Sequence, residues 1–466
     1  MDAYLRRAWD QPDQPTFGPP IIHEVAPNDL TRPVATAPYA FASAFDAGHF
    51  VTTWIDFFST QCDAALEFFE ATALLALSLA THGMKVHLSG SAEPLRTNLY
   101  MALVGDAAAS RKTTVKDFLV KVAKALPHQI GVLPEMASHE GTVEALSVAS
   151  GRSALWAVDE LKPQLEKFAH AHHLAGMLGL ILTLYSQTNY TYKRVSKRRS
   201  KKDGGDGERE SDDFPVTDVT FSILGCCTPT IFEKLTTESV DSGLLPRFAI
   251  IFPQQKPERK ARFQLEDMRR EPTTLIRWLN AVARRVEHST VRFDDGVLDL
   301  LDREIDLQVE RDVDHGLMLK RMGVMAQKVA MLSAAGRVLP PDLDLLGREV
   351  DPLHDPAPTA SDGPIIHVTV EDARSAITVV RRWIEDSKRF EARLNETAFE
   401  RNLIKCVDLV RGRNGYVNRR EIARRVHVEA KVLREIEETL KQREQIEVVA
   451  KKGKTGAPAI LWKWVG

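Results

Sequence analysis

The stretch Asn98-Leu-Tyr-Met-Ala-Leu-Val-Gly-Asp-Ala-Ala-Ala-Ser-Arg-Lys-Thr-Thr114 decides the fold of this chain. It begins as a short, continuous apolar run, which is typical of a parallel strand buried on both faces. The small residues after Gly105 form a turn, and a helix is predicted over Val115–Leu126. A strand, a loop and a helix N-terminus in this order are the setting of a phosphate-binding loop, in which backbone N–H groups surround the phosphates.

Further strands of the same sheet are predicted downstream. Apolar runs occur at Ser153–Val158, Val219–Leu224 and Ala249–Phe252, and they end at Asp159, Gly225 and Pro253. Helical stretches separate the runs. This alternation predicts an α/β fold with a parallel sheet.

The chain divides into four predicted units. A helical segment runs from Phe50 to Thr81 after a Pro-rich arm, and a Pro- and Asp-rich surface loop occupies residues 340–363. The units are an N-terminal arm and helical segment at 1–95, the α/β core at 96–256, a helical lid at 257–395 and a small C-terminal domain at 396–466.

Composition excludes several classes of protein. The net charge is −2, so any nucleic-acid binding must come from a local patch. The four cysteines contain no C-x-x-C pair, which argues against a disulfide framework and favours buried thiols in a reducing cytoplasm. The N-terminus carries no long apolar stretch, and the most apolar segment, Ala71–Ala80, is too short to span a bilayer. We therefore expect a cytoplasmic protein without a signal peptide or membrane partner.

The loop after the first strand carries the side chains that a site for ATP and Mg²⁺ needs. Lys112 can reach the β- and γ-phosphate oxygens, and the Thr113 hydroxyl can coordinate Mg²⁺. Gly105 stands one residue further upstream of Lys112 than in the usual pattern, so either Arg111 or Lys112 can occupy the lysine position. The alternative is a plain strand–turn–helix. The residues predicted to line ATP are Gly105, Asp106, Ala107, Ala108, Ala109, Ser110, Arg111, Lys112, Thr113 and Thr114.

An acidic pair, Asp159 and Glu160, ends the second strand. Adjacent carboxylates at the carboxyl end of a buried strand are costly unless a cation or a function compensates. Asp159 is the candidate for the Mg²⁺ shell, and Glu160 is the candidate that orients the attacking water. The alternative is a strand that exits into a charged loop.

Two further strand ends carry candidate residues. Thr228 follows the third strand and fits a polar sensor of the nucleotide, or a simple turn cap. Arg247 stands immediately before the fourth strand. Such an arginine can act in trans on the γ-phosphate of a neighbouring subunit, although an ordinary surface arginine is the alternative.

The order of these motifs resembles the minichromosome maintenance (MCM) helicases. Gly243-Leu-Leu-Pro-Arg-Phe-Ala-Ile-Ile-Phe252 is similar to their arginine-finger segment. Arg321 begins an Ala-rich apolar helix that resembles their sensor-2 helix, and this match implies that Arg321 contacts the γ-phosphate. Without the resemblance, Arg321 would be an ordinary helix-surface residue.

The chain resembles still more a bacterial, phage and plasmid family of YfjI-like, MCM-related AAA+ ATPases. The resemblance covers residues 60–390, and in that family the pair Arg111–Lys112 belongs to the phosphate loop. It implies a homo-oligomeric, hexameric ring that binds ATP and Mg²⁺ between subunits and acts on single-stranded or duplex DNA.

A densely basic run separates the acidic strand from the sensor strand. In MCM-like ATPases a β-hairpin with a basic tip occupies this position, and the flanks Tyr190–Val195 and Phe214–Val219 suit a hairpin. Its cations would bind phosphates without reading sequence. A solvated charge run is the alternative. The candidate DNA-binding residues of the tip are Lys193, Arg194, Lys197, Arg198, Arg199, Lys201 and Lys202.

The last seventy residues predict a winged helix. Helices over Glu400–Val410, Val417–Val426 and Glu429–Arg443 precede two strands around a basic turn, and Asn418 is the predicted cap of the second helix. The module can bind DNA or a partner protein. Its candidate DNA-binding residues are Arg419, Arg420, Lys451, Lys452 and Lys454.

These patterns favour an MCM-like ATPase that translocates on or unwinds DNA in mobile-element replication. One alternative is a DNA-binding ATPase switch in phage defence, and another is a non-hydrolysing DNA-binding adaptor. His170-Ala-His-His173 has no acidic or Cys partner at ligand spacing and is expected to be a surface or interface cluster and no metal site.

Overall fold

The computed structural model describes residues 41–88, 93–105, 110–126, 128–135, 138–161, 163–164, 176–193, 213–228, 243–253, 270–287, 289–312, 316–337, 365–395, 398–413, 415–451 and 459–465. The described strands are β1 Lys85–Val86, β2 Leu95–Arg96, β3 Tyr100–Val104, β4 Ile130–Val132, β5 Ser153–Val158, β6 Tyr190–Lys193, β7 Asp213–Val216, β8 Thr220–Cys227, β9 Phe248–Ile251, β10 Thr290–Phe293, β11 Ile365–Val368, β12 Val417–Asn418, β13 Ile446–Lys451 and β14 Ala459–Trp464.

The helices lie between and around these strands. They are α1 Phe50–Ser59, α2 Leu66–Ala80, α3 Lys112–Lys124, α4 His139–Val148, α5 Met177–Ser186, α6 Thr273–Glu287, α7 Val297–Leu301, α8 Leu307–Arg311, α9 Gly316–Leu319, α10 Met322–Gly336, α11 Val370–Asn395, α12 Ala398–Arg411, α13 Arg419–Val426 and α14 Ala430–Gln442. A 3-10 turn, Leu245–Arg247, precedes β9.

A five-stranded parallel sheet in the order β4-β5-β8-β3-β9 forms the centre of the protein. The predicted α/β class with a parallel sheet is confirmed. The register pairs Val104 with Cys227 and Val158 with Gly225, so the carboxyl ends of β3, β5 and β8 meet at one edge. This edge receives the loop after β3 and the acidic pair after β5.

Two details of the sheet differ from the sequence-based expectation. β4 was not predicted, because three residues with a central glycine carry no usable period. The predicted end of the third strand at Gly225 is wrong, since β8 continues to Cys227. A side chain at Gly225 would place its Cβ 2.7 Å from Leu161 Cδ2, so this glycine permits close helix packing and makes no turn.

Helices cover both faces of the sheet. Successive side chains of β3 alternate between two apolar clusters, with Met101 and Leu103 on one side and Tyr100 and Ala102 on the other, as the period of two requires. The first cluster also contains α1, α2, α6, α10 and α11. The second contains α4 and α5. The predicted helical segments before and after the core therefore pack on the sheet itself.

The apolar helix α2 is buried along nearly its whole length, which confirms the prediction that Ala71–Ala80 is a core helix. In the described part of the chain, no helix is both long enough and apolar enough to cross a membrane. Cys62, Cys226, Cys227 and Cys406 are free thiols, and all four are buried.

Smaller sheets lie outside the central one. β6 pairs antiparallel with β7, so the predicted hairpin flanks do come together, although the second flank ends at Val216. β10 and β11 form a parallel pair that was not predicted. The predicted surface loop at 340–363 lies outside the described residues.

The C-terminal residues form a unit with its own apolar cluster. Helices α12, α13 and α14 accompany an antiparallel sheet in the order β12-β14-β13. The Asn418 side chain caps α13 by accepting a hydrogen bond from the Arg420 N–H at 2.9 Å, as predicted. The strand β12 was missed because it has two residues.

Candidate nucleotide site

The loop after β3 begins in close contact with β8. The Gly105 N–H donates to the Cys227 carbonyl at 3.1 Å, which extends the β3–β8 pairing by one residue. A Cβ at Gly105 would lie 2.8 Å from Ser110 Cβ. The loop thus returns so tightly on Gly105 that a side chain there would clash. Asp106, Ala107, Ala108 and Ala109 lie outside the described residues.

Lys112 is the lysine that points into this loop. Its Nζ donates to the Gly105 carbonyl at 2.7 Å and to Ser110 Oγ at 3.0 Å, and the residue is 8% exposed. It is also the first residue of α3, which begins three residues earlier than the predicted Val115. The ammonium therefore lies between the loop and the N-terminal end of a helix, where phosphate oxygens are favoured.

The Arg111 side chain has a different orientation from that of Lys112. It precedes α3 in the left-handed conformation, with φ 56°, which is uncommon for a residue with a Cβ. Its Nε donates to Asp63 Oδ1 at 3.3 Å, and its side chain is half exposed. Arg111 thus contacts the segment between α1 and α2. Thr113 is exposed, and Thr114 is half-buried.

The acidic pair after β5 lies beside α3. Asp159 Oδ1 accepts a hydrogen bond of 2.6 Å from Lys116 Nζ, and Lys116 also lies 3.1 Å from Asp117 Oδ1. Sequence reasoning missed Lys116. The available signal was its spacing, because a residue four positions after Lys112 lies on the same face of the helix. Glu160 is exposed to solvent.

The thiol of Cys226 lies among these charged groups. Burial raises its pKa to about 12, while the charges of Lys116 and Lys112 lower it and that of Asp159 raises it. The ends of β3, β5 and β8 therefore bring Lys112, Lys116 and Asp159 into one electrostatic environment. Thr228 follows β8 at the same edge and is half-buried.

A polar cavity of about 350 Å³ adjoins the acidic pair. Its lining includes Asp159, Glu160, Glu135 and Gln164. Gln164 Nε2 donates to Glu135 Oε1 at 3.0 Å, while its buried Oε1 has no hydrogen-bond partner in the described structure. The cavity can hold water next to the two carboxylates, and sequence reasoning did not identify it.

Arg247 lies at the other end of the sheet. It directly precedes β9, whose first residue, Phe248, pairs with Tyr100 at the start of β3. A strand of this length spans roughly 15 Å, so Arg247 does not contact the loop after β3 of its own chain. Its guanidinium donates to the Gly243 carbonyl and lies 5.6 Å from the Tyr185 ring centroid. Burial, and secondarily the charge of Arg321, lowers the pKa of Arg247.

Arg321 is at the same amino-terminal edge as Arg247. It precedes α10 and lines a cavity of about 310 Å³ together with Asn98, Tyr185 and Lys328. Its charge acts on both Arg247 and Lys328. The two arginines inferred from the MCM resemblance are thus near each other, and both are remote from Lys112.

The base of the β6–β7 hairpin rests on α4. Tyr192 Oη donates to Glu140 Oε1 at 3.2 Å, and Tyr190 Oη lies 3.3 Å from His139 Nε2. The last paired residues are Lys193 and Asp213. The remaining candidates at the tip, Arg194, Lys197, Arg198, Arg199, Lys201 and Lys202, lie outside the described residues.

The basic residues of the C-terminal unit have different surroundings. Arg419 is 18% exposed, and its Nε lies 3.5 Å from Glu437 Oε2, so its guanidinium faces the interior. Arg420 and Lys451 are exposed and available to a ligand. Lys452 and Lys454 lie outside the described residues.

Among the described residues, no group of three or more His, Cys, Asp or Glu side chains could hold a metal ion by itself. His170–His173 lie outside them. Comparison of the sequence with protein-family models gives no match, and comparison with curated proteins gives no significant match.

Proposed function

We propose that this protein is an AAA+-type ATPase that binds ATP and Mg²⁺ at the carboxyl edge of its parallel sheet and acts on DNA. The observation that carries the proposal is the position of Lys112. Its ammonium lies inside a tight loop at a helix N-terminus, at the same sheet edge as Asp159 and Glu160.

The strand order supports the AAA+ assignment. AAA+ ATPases place one strand between the strand before the phosphate loop and the strand with the acidic pair, and here β8 lies between β3 and β5. The C-terminal unit supports a winged helix, since three helices and a sheet with its last strand in the centre are the parts of that fold.

The residues present suit ATP and Mg²⁺. Lys112 and the N–H groups at the start of α3 would hold the phosphates, while Thr113 and Asp159 would hold the metal, which neutralises phosphate charge when bound. Asp159 accepts a hydrogen bond from the Lys116 ammonium, and this ammonium would have to move for the carboxylate to hold the metal.

Glu160 is the candidate that orients water. It is exposed next to a polar cavity at the carboxyl edge, so a water bound there can pass its proton toward the carboxylate during attack on the γ-phosphate. Arg247 and Arg321 lie at the opposite edge, and their guanidinium groups would serve the γ-phosphate of a neighbouring copy. A site divided in this way requires an oligomer, and a closed ring supplies every copy with a partner. We propose a hexamer.

DNA is the proposed partner. The hairpin base at Tyr190–Lys193 leads into the basic run, and exposed Arg420 and Lys451 add positive charge to the C-terminal unit. Cycles of ATP hydrolysis would move the hairpin along DNA, in the manner of a helicase of mobile-element replication in the cytoplasm. A DNA-binding ATPase switch in phage defence would use the same parts without strand separation.

A non-hydrolysing DNA-binding adaptor is the second candidate. The contact of Lys116 with Asp159 favours it, because an ammonium that permanently held this carboxylate would exclude the metal.

ATP turnover of the full chain, measured with and without single-stranded and duplex DNA, tests the proposal. We expect Mg²⁺-dependent hydrolysis that DNA stimulates, and displacement of a labelled strand if the protein is a helicase. Stimulated hydrolysis without strand displacement identifies the switch. Nucleotide binding without any hydrolysis supports the adaptor and overturns the proposed ATPase.

A further inference from the structure

Lys116 connects the phosphate-loop helix to the acidic pair. Its Nζ lies 2.6 Å from Asp159 Oδ1 and 3.1 Å from Asp117 Oδ1. The Lys116 side chain is only 10% exposed, whereas those of its two partners are 58% and 62% exposed. The Lys116 side chain as a whole is therefore largely removed from water by the protein, and the two carboxylate side chains are not.

The contact with Asp159 is the one that bears on the nucleotide site. A charge-assisted hydrogen bond of this length is a strong interaction, and it occupies an oxygen of the carboxylate proposed to face Mg²⁺. Lys116 is also four residues after Lys112, so both ammonium groups extend from the same face of α3. The charges of both lysines and of Asp159 act on the Cys226 thiol between them.

A divalent cation and an ammonium next to one carboxylate oxygen repel each other strongly in a partly desolvated site. Lys116 must therefore leave Asp159 when a metal ion arrives. Its four-carbon stem and rotating donors allow such a movement. The nearest new anions would be the phosphate oxygens beside Lys112.

We propose that Lys116 is a resident counter-cation of Asp159 that exchanges with Mg²⁺. It neutralises Asp159 in the empty site and donates to phosphate oxygens once the metal and nucleotide are bound. Lys116 is thus a positioning residue for the metal and a second phosphate-binding lysine for the nucleotide. The inference rests on the ATP site proposed above.

The proposed exchange predicts that Lys116→Met strengthens metal binding and weakens nucleotide binding in the absence of metal. The metal concentration that half-saturates the nucleotide complex should fall about tenfold, because the competitor for Asp159 is gone. Affinity for the nucleotide without metal should fall by a similar factor, because the Asp159 carboxylate, left without its counter-cation, then repels the phosphates. A lysine that only supports packing would weaken both kinds of binding together.

The experiment uses the full chain and a non-hydrolysable ATP analogue. Mn²⁺ replaces Mg²⁺, and the paramagnetic resonance signal of free Mn²⁺ reports the half-saturation point. Binding of the analogue in EDTA is measured by calorimetry. Lys116→Gln accompanies Lys116→Met as a second neutral variant, and near-ultraviolet circular dichroism verifies that each is folded.

Two further variants test the direction of the effect on metal binding and its specificity for Lys116. Lys116→Arg keeps the charge and binds carboxylates through a rigid fork, so it should raise the half-saturating Mn²⁺ concentration a few-fold. Lys121→Met is the matched control, since Lys121 is on the same helix and pairs with Glu271 at 2.9 Å. It should behave like the wild type.

Half-saturation points that coincide in the wild type, the neutral variants and Lys116→Arg would overturn the exchange. A neutral variant that needs more Mn²⁺ than the wild type for half-saturation would also overturn the exchange. Failure of the proposed ATP site has a different signature, because the wild type itself would then bind no analogue with or without Mn²⁺.

Discussion

Lys328 on α10 donates two hydrogen bonds of 2.8 Å to Asn98, one to its backbone carbonyl and one to its side-chain oxygen. Asn98 precedes β3, so this pair joins the helical segment after the core to the strand that leads into the phosphate loop. The ammonium also lies 4.2 Å from the Tyr185 ring centroid. These partners are neutral, and burial lowers the pKa of Lys328 to about 7, with a further lowering by Arg321.

Lys328 should make the free energy of unfolding depend on pH in the alkaline range. Between about pH 7 and its ordinary pKa of 10.5, the unfolded chain holds a proton that the folded protein releases, so stability rises with pH across this window. Below pH 7 both states hold the proton, and the cost of burying the charge is complete. We expect the wild type to gain on the order of a few kcal/mol relative to Lys328→Met as pH rises through the window.

Urea denaturation of both proteins at several pH values measures this difference. The comparison with Lys328→Met removes the contribution of the thiols, whose ordinary pKa of 9.0 lies in the same range when either protein is unfolded. If the free energy of unfolding changes with pH in the same way in both proteins, Lys328 stays charged in the folded state.

Glu160→Gln should bind ATP and nearly stop its hydrolysis. The phosphate loop and Asp159 remain, while the group that orients and deprotonates water is lost, and such groups contribute about 100-fold to 10,000-fold. Binding of a fluorescent nucleotide and steady-state turnover separate the two properties. Turnover at the wild-type rate would show that Glu160 is not the water-orienting residue.

Arg247→Ala should bind ATP and fail to hydrolyse it, because Arg247 is at the sheet edge opposite Lys112. Mixing it with Lys112→Ala should restore part of the activity, since a pair of mutant copies can form one complete site. Light scattering confirms assembly of the mixture. Absence of rescue at every mixing ratio of assembled protein would rule out the trans role and, with it, most of the argument for a ring.

Neutralising Arg198, Arg199, Lys201 and Lys202 together should weaken DNA binding and its salt dependence. Each lost phosphate contact should reduce the slope of log affinity against log salt by about 0.7 to 0.9. Basal ATP hydrolysis should remain, because none of the four residues belongs to the loop after β3, but stimulation by DNA should decrease. Fluorescence anisotropy at two salt concentrations measures the slope.

Deletion of the residues after Glu396 is the companion experiment. If the C-terminal unit alone binds DNA, the deletion abolishes binding and the hairpin variant retains it. If the basic run is only a solvated segment, the hairpin variant has the wild-type slope and the wild-type response to DNA, which would contradict our proposal.

Much of the fold could be predicted because burial imposes local patterns. A strand covered by helices on both faces must be apolar at consecutive positions, and this requirement revealed β3, β5, β8 and β9. Short strands such as β4 and β12 carry too few residues for any period. Gly225 was predicted to end the third strand, because only the packing of Leu161 shows why a side chain is excluded at this position inside β8.

The sequence by itself determined the α/β class, the loop after β3, the acidic pair after β5 and the cap of α13. Each of these depends on residues close together in the chain. The tertiary structure decided whether Arg111 or Lys112 enters the loop, which end of the sheet holds Arg247 and Arg321, and which groups Lys116 and Lys328 contact. Lys116 and Asp159 are 43 residues apart, and Lys328 and Asn98 are 230 apart. Such pairs depend on strand order and register, which are set by packing the whole chain and leave no local pattern in the sequence.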